Sequence, residues 1–197
     1  MSRLRLITRE NFNESQQRFF DHITKGRRGQ GQTGDRYLTP EGGLKGPFGA
    51  WLYCPSLGDA TQRLGEAVRF ETSLHPVLRE LAILTVAARW KCSYEWWAHE
   101  RIARSVGLNE EVLVQLRKGN PLKSKDPKES IVYEFTRELI ATCGISENLY
   151  ENAVASLGES GVVELVTLIG YYTMVSMTLN VFKVPVPSGE DPVFDSI

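Results

Sequence analysis

The chain is poor in the residues that would mark it as a disulfide scaffold, a metal centre or a polyelectrolyte binder. It has three cysteines, three histidines and three methionines in 197 residues. Cys54, Cys92 and Cys143 are odd in number and far apart, which excludes a disulfide framework and fits free thiols in a reducing compartment. His22 and His75 are isolated, and one Glu-x-x-x-His without a second cluster argues against a di-iron bundle or another bound metal. Neither charge predominates: 23 Lys and Arg against 24 Asp and Glu leave a net −1, so no global field draws nucleic acid or an anionic membrane. The opening Met1–Leu6 mixes charge with leucine and lacks an apolar secretory core, and a cytoplasmic protein is expected. No segment of useful length has a strand period, no repeat is evident, and no glycine-rich phosphate loop follows a strand.

What is present is enough for one folded domain over 1–197: 42% hydrophobic and 24% charged residues in 22.2 kDa. Asn11–Ile23 has Phe12, Phe19, Phe20 and Ile23 near helical spacing and reads as an N-terminal helical arm. Gly26–Gly49 has no period and reads as one long glycine-rich loop, a mobile surface or an active-site lid. Its Lys25, Arg27 and Arg28 read as a solvated patch, with no interleaved aromatics to stack on RNA bases. A short helix or two is expected between Leu52 and Thr72, interrupted near Gly65. Pro76 suits a first helical turn, and Leu78–Trp90 is apolar on most sides. A turn at Lys91-Cys92-Ser93, with Ser93 able to cap, leads into a helix over Tyr94–Val106, so the pair forms an antiparallel hairpin. Asn109–Leu116, Ser130–Cys143, Glu147–Leu157 and a long apolar helix from Gly161 complete an all-α helical bundle. Leu165–Phe182 carries no formal charge, but Thr167, Thr173, Ser176, Thr178 and Asn180 interrupt it, so burial by protein is expected rather than lipid. A chain this small buries such a helix most readily between subunits, which predicts a homo-oligomer.

Four residues on the hairpin carry the candidate chemistry: Glu80, Cys92, Glu95 and His99. Cys92, Glu95 and His99 stand at i, i+3 and i+7, one stripe of a helix that begins near Cys92. With the turn near 91 or 92, the level opposite His99 falls near Leu84, about one turn or roughly 6 Å from Glu80. Long side chains close that gap. A carboxylate and an imidazole held together away from water can shuttle a proton near neutral pH. At Cys92 a helix N-terminus favours thiolate while Glu95 opposes it, and only modest activation is expected. Each residue also has an ordinary explanation, as a dipole-complementing acid, a helical surface pair, a core histidine or a small buried hydrophobe.

These residues, Arg79-Glu80-Leu81-Ala82-Ile83-Leu84, Cys92-Ser93-Tyr94-Glu95-Trp96 with His99, and Ala103 to Leu108, make the chain resemble the carboxymuconolactone decarboxylase family, which includes the alkyl hydroperoxidase D-like proteins. The resemblance is strongest from about Gly46 to Leu116. It implies helical subunits assembled as trimers or hexamers, with a site near a subunit interface and no cofactor. The hydroperoxidase branch uses a Cys-x-x-Cys pair with a nearby Glu and His; here Glu80, Cys92 and His99 match, but Glu95 stands at the second cysteine position. The decarboxylase branch has a carboxylate shortly before the histidine, which Glu95 and His99 resemble. Three readings follow: cofactor-free acid–base chemistry, decarboxylation or proton transfer, on a small lactone or carbonyl acid; thiol-dependent hydroperoxide reduction through Cys92; and noncatalytic ligand binding by an oligomer.

Overall fold

The computed structural model describes residues 2–27, 37–122 and 124–195. Among them are eight α-helices and one short 3-10 helix, and the only β pairing consists of isolated bridges. The protein is all-α, as its hydrophobic periodicity predicts. The chain forms two compact units, Met1–Glu71 with Thr178–Pro185 and Thr72–Met177 with Val186–Ile197.

In the first unit, α1 (Glu14–Lys25) starts three residues later than Asn11 because Asn13 caps it: its side chain accepts the Gln16 N–H while Gln16 reaches back to the Asn13 N–H. Its apolar face buries Phe19, Phe20 and Ile23. A five-residue α2 (Pro47–Trp51) and bridges Thr8–Gly43 and Leu38–Leu44 give structure to part of the stretch expected to be one loop. The lid expected there falls largely on residues 28–36, outside the described residues. Lys25 pairs with Asp21 and Arg27 with Glu71. α3 (Pro55–Phe70) runs unbroken through Gly65, where an interruption was expected. Gly58, also within α3, has a packing role: a Cβ there would lie 2.8 Å from Trp51 Cβ and 3.1 Å from Phe19, so the missing side chain admits a close approach. Packing outweighs the weak helix propensity of glycine.

In the second unit, α4 (Pro76–Arg89) opens with Pro76 at its first position and His75 as cap. It packs against α5 (Ser93–Ser105), α6 (Glu110–Lys118) and α7 (Pro127–Thr142). Leu81, Ile83 and Leu84 are fully buried on α4, each contributing about 1.5–3 kcal/mol of apolar burial. α7 ends on Cys143 in the left-handed region at φ 61°, one residue before the Gly144 stop read from the sequence. α8 (Glu147–Val181) joins the two helices expected in this stretch; Gly158, at φ 73° and ψ 164°, breaks it. A Cβ at Gly158 would meet nothing within 4 Å, so the backbone angle, not space, favours glycine there. α8 is long and apolar enough to cross a membrane by length and composition alone, and half of its most apolar window is buried within the protein.

Candidate active site

The hairpin turn sets the site. After α4, Lys91 adopts a left-handed conformation at φ 48° and the Cys92 N–H returns to the Ala87 carbonyl at 2.9 Å. Cys92 becomes the N-terminal cap residue of α5, without a side-chain capping bond. Ser93 does not cap, as had been expected of it. Its hydroxyl instead accepts the Phe194 N–H at 2.9 Å, while Phe194 packs edge-on against the fully buried Trp96. The C-terminal segment therefore fixes the start of α5.

From that start, Glu95 and His99 rise one turn apart on the face turned to α4, and Glu80 meets them from α4. His99 Nδ1 lies 2.6 Å from Glu80 Oε2, and His99 Nε2 lies 3.1 Å from Glu95 Oε1. The Tyr172 ring of α8 stands edge-on to the imidazole with centroids 5.0 Å apart. The side chains of Glu80, Glu95 and His99 are 1%, 5% and 6% exposed, so these contacts form in a medium that screens charge poorly.

The geometry favours the charged form of His99. A neutral imidazole has one N–H and can donate to one carboxylate only; the cation donates to both. Burial by itself lowers the His99 pKa, but the charges and hydrogen bonds of Glu80 and Glu95 outweigh it and hold the value above the ordinary 6.5. His99 is thus a buried proton store between two acceptors.

Cys92 behaves differently. It is 1% exposed. Burial, with the neighbouring Glu95 charge adding to it, pushes the thiol up to about 12, against smaller downward pulls from the backbone of Glu95, the Ser176 hydroxyl and the backbone of Tyr94. The modest activation expected from the helix N-terminus is overturned, because desolvation of the thiolate is the largest effect. At neutral pH the thiol therefore stays protonated. Cys54 and Cys143 are exposed free thiols.

All four residues read from the sequence as candidates therefore lie on one hairpin, and three of them form a continuous carboxylate–imidazole–carboxylate chain. Sequence reasoning missed the site roles of Tyr172 and Ser176, four residues apart on α8, and Arg79, whose Nε lies 3.9 Å from Glu80 Oε1. Polar residues four apart in the uncharged stretch 165–182 were the available signal for the first two. A cavity of about 440 Å³ lies in the same unit, lined by His75, Asp126, Lys128 and Glu129 among others, and none of the four candidates lines it. Among the described residues no group of three or more His, Cys, Asp or Glu is arranged to hold a metal ion.

Helical fold and hairpin site together define a class, and comparison with known proteins agrees with it. The carboxymuconolactone decarboxylase family model matches residues 55–119, a segment containing the whole constellation. Over that segment the chain is similar to the carboxymuconolactone decarboxylase family, and the likeness extends to its alkyl hydroperoxidase D-like members. Similar folds include an uncharacterized peroxidase-related protein from Silicibacter sp. TM1040, at 14% identity and TM-score 0.71 over 95% of this chain and 92% of that one. Another, an alkylhydroperoxidase AhpD core described as an uncharacterized peroxidase-related protein from Ralstonia eutropha JMP134, has 14% identity and TM-score 0.73 over 95% and 93%. A third, from Agrobacterium tumefaciens, is described as of unknown function and proposed as an AhpD antioxidant defence protein; it has 18% identity and TM-score 0.61 over 73% and 99%. At these identities the likeness is one of fold. No curated protein matches the chain in sequence.

Proposed function

We propose that the protein is a cofactor-free acid–base enzyme of the carboxymuconolactone decarboxylase type, acting on a small lactone or carbonyl acid by decarboxylation or proton transfer. The observation that carries this reading is the buried imidazole with a carboxylate at each nitrogen, 2.6 and 3.1 Å away. In a decarboxylation, the C–C bond to the substrate carboxylate breaks, carbon dioxide leaves, and the electron pair passes into the conjugated carbonyl. A proton from His99, carried by Glu95, then completes the product at carbon. Glu80 holds the other imidazole nitrogen and stabilises the cation before transfer. His99 is afterwards neutral and is recharged by solvent.

One observation favours a second reading, hydroperoxide reduction through Cys92: two solved structures of similar fold are described as peroxidase-related. Glu95 would take the thiol proton and the thiolate would attack the terminal peroxide oxygen, forming S–O and breaking O–O. The alcohol would leave with a proton from His99. An external thiol would then reduce the sulfenic acid. The raised thiol pKa weighs against this route.

Parent, Cys92→Ser and His99→Ala assayed on unsaturated lactone acids for carbon dioxide release, and on a hydroperoxide with dithiol, separate the two. Acid–base chemistry predicts loss in His99→Ala and retention in Cys92→Ser. Lactone-acid turnover undiminished in His99→Ala would end the first reading. Self-association belongs to the same proposal: Val163, Val166 and Met177 of α8 are exposed apolar residues, and light scattering at micromolar concentration should give more than a monomer mass.

A further inference from the structure

Arg79 is left over by the relay, and its setting is unusual among the arginines nearby. On α5 and α6, Arg101 pairs with Glu190, Arg104 with Glu100 and Glu110, and Arg117 with Glu100. Arg79 has no hydrogen-bonded carboxylate among the described residues, only a long ion-pair contact with Glu80. Its buried Nε makes no hydrogen bond, and the carboxylate beside it, Glu80 Oε1, stands at 3.9 Å, beyond hydrogen-bond reach. The other oxygen of Glu80 is committed to His99. A guanidinium keeps its charge and presents a rigid fork of N–H donors that fits a carboxylate at two points. A buried donor left unmet is costly and calls for an explanation.

Its position supplies one. The side chain of Arg79 is 16% exposed, against 1% for Glu80, 5% for Glu95 and 6% for His99. Within the cluster, the unmatched cation is therefore the group nearest solvent, one side-chain contact from the imidazole. Fully ionised, Arg79, Glu80, Glu95 and His99 sum to zero formal charge. Without Arg79 the same cluster is −1 and repels an incoming acid.

We propose that Arg79 is the specificity-determining residue of the site, binding the carboxylate of a small organic acid with its guanidinium fork and delivering that acid to the Glu80–His99–Glu95 chain. This deepens the acid–base reading by naming the charged group the substrate must carry. It rests on that reading for the reaction, whereas the recognition step is measurable without turnover. It also explains why a lysine would not serve equally: an ammonium offers charge without the planar two-point match.

The test uses benzoate and benzamide, equal in shape and different in charge, titrated into the full-length protein by calorimetry. The parent should bind benzoate at least about tenfold more tightly than benzamide. Arg79→Gln should erase the preference and Arg79→Lys should keep part of it, with each variant's fold checked by circular dichroism and its urea midpoint. Equal affinity of the parent for the two probes, or an undiminished preference in Arg79→Gln, overturns the proposal. If Arg79→Gln fails to fold, Arg79→Lys decides: a preference equal to the parent's overturns it. Loss of preference in a protein that turns over no lactone acid supports the role of Arg79 and removes the reaction. Turnover with an unchanged KM in Arg79→Gln removes Arg79 and leaves the reaction standing.

Discussion

Two histidines in this molecule make the same contact and differ in everything around it. His22 Nδ1 meets Asp59 at 2.6 Å in the first unit, and His99 Nδ1 meets Glu80 at 2.6 Å in the second. The first pair is 54% and 21% exposed, and Arg63 also pairs with Asp59. The second pair is 6% and 1% exposed, and Glu95 takes the remaining nitrogen. Distance alone would rank them equal. Water and the neighbouring guanidinium screen the surface pair, so its coupling is weak. The buried pair has exchanged its hydration for two fixed carboxylates, and its proton is held by the protein.

The largest expected contrast is in activity. His99→Ala should lower turnover of the lactone-acid substrate by about 10²–10⁴-fold, the usual worth of a positioned acid or base, while His22→Ala leaves steady-state rates unchanged. Equal losses in the two variants would erase the distinction between the sites.

Stability should separate them next. Glu80→Ala strips a buried cation of its nearest counter-charge and should cost about 3–5 kcal/mol in urea unfolding. A loss under 1 kcal/mol would mean that water reaches the cluster in solution.

The pH dependence sharpens the same contrast. The folded His99 value is raised above 6.5, so its contribution is fully present below the unfolded value and is lost as pH rises through the folded one. Unfolding free energy should therefore fall as pH climbs above about 6.5, by at most about 1.4 kcal/mol per pH unit for one proton. His99→Gln should flatten that part of the profile, and a parent profile rising over the same range would reverse the assigned direction.

The smallest effect belongs to the surface pair. His22→Gln should change stability by about 0–1 kcal/mol, with a difference that shrinks further in high salt. A measured cost near that of Glu80→Ala would show that exposure is a poor guide here.

Much of the scaffold was legible in the linear pattern, for reasons that are local. Pro76 at a first turn, the near-continuous apolar run over Leu81–Ala88 and the turn at Lys91-Cys92-Ser93 are each read within a few residues. The Cys92, Glu95, His99 stripe needs only the helical period, and counting back from the turn puts Glu80 one turn from His99's level. The joining of two expected helix pieces into α3 was not legible, because Gly65, where the break was expected, is buried within the helix and burial depends on residues distant in sequence. Ser93 was misread for the same kind of reason: its partner, Phe194, lies a hundred residues along the chain.

Residue order thus set the helices, the hairpin and the set of groups that meet in it, since short-range sterics and a 3.6-residue period govern all three. Folding in three dimensions chose the states of those groups. A proton held on His99, a thiol suppressed at Cys92 and a guanidinium left unmatched at Arg79 are properties of solvent exclusion and of charges on facing helices. Such quantities accumulate over every neighbour in space, and the spacing of residues along one helix does not contain them.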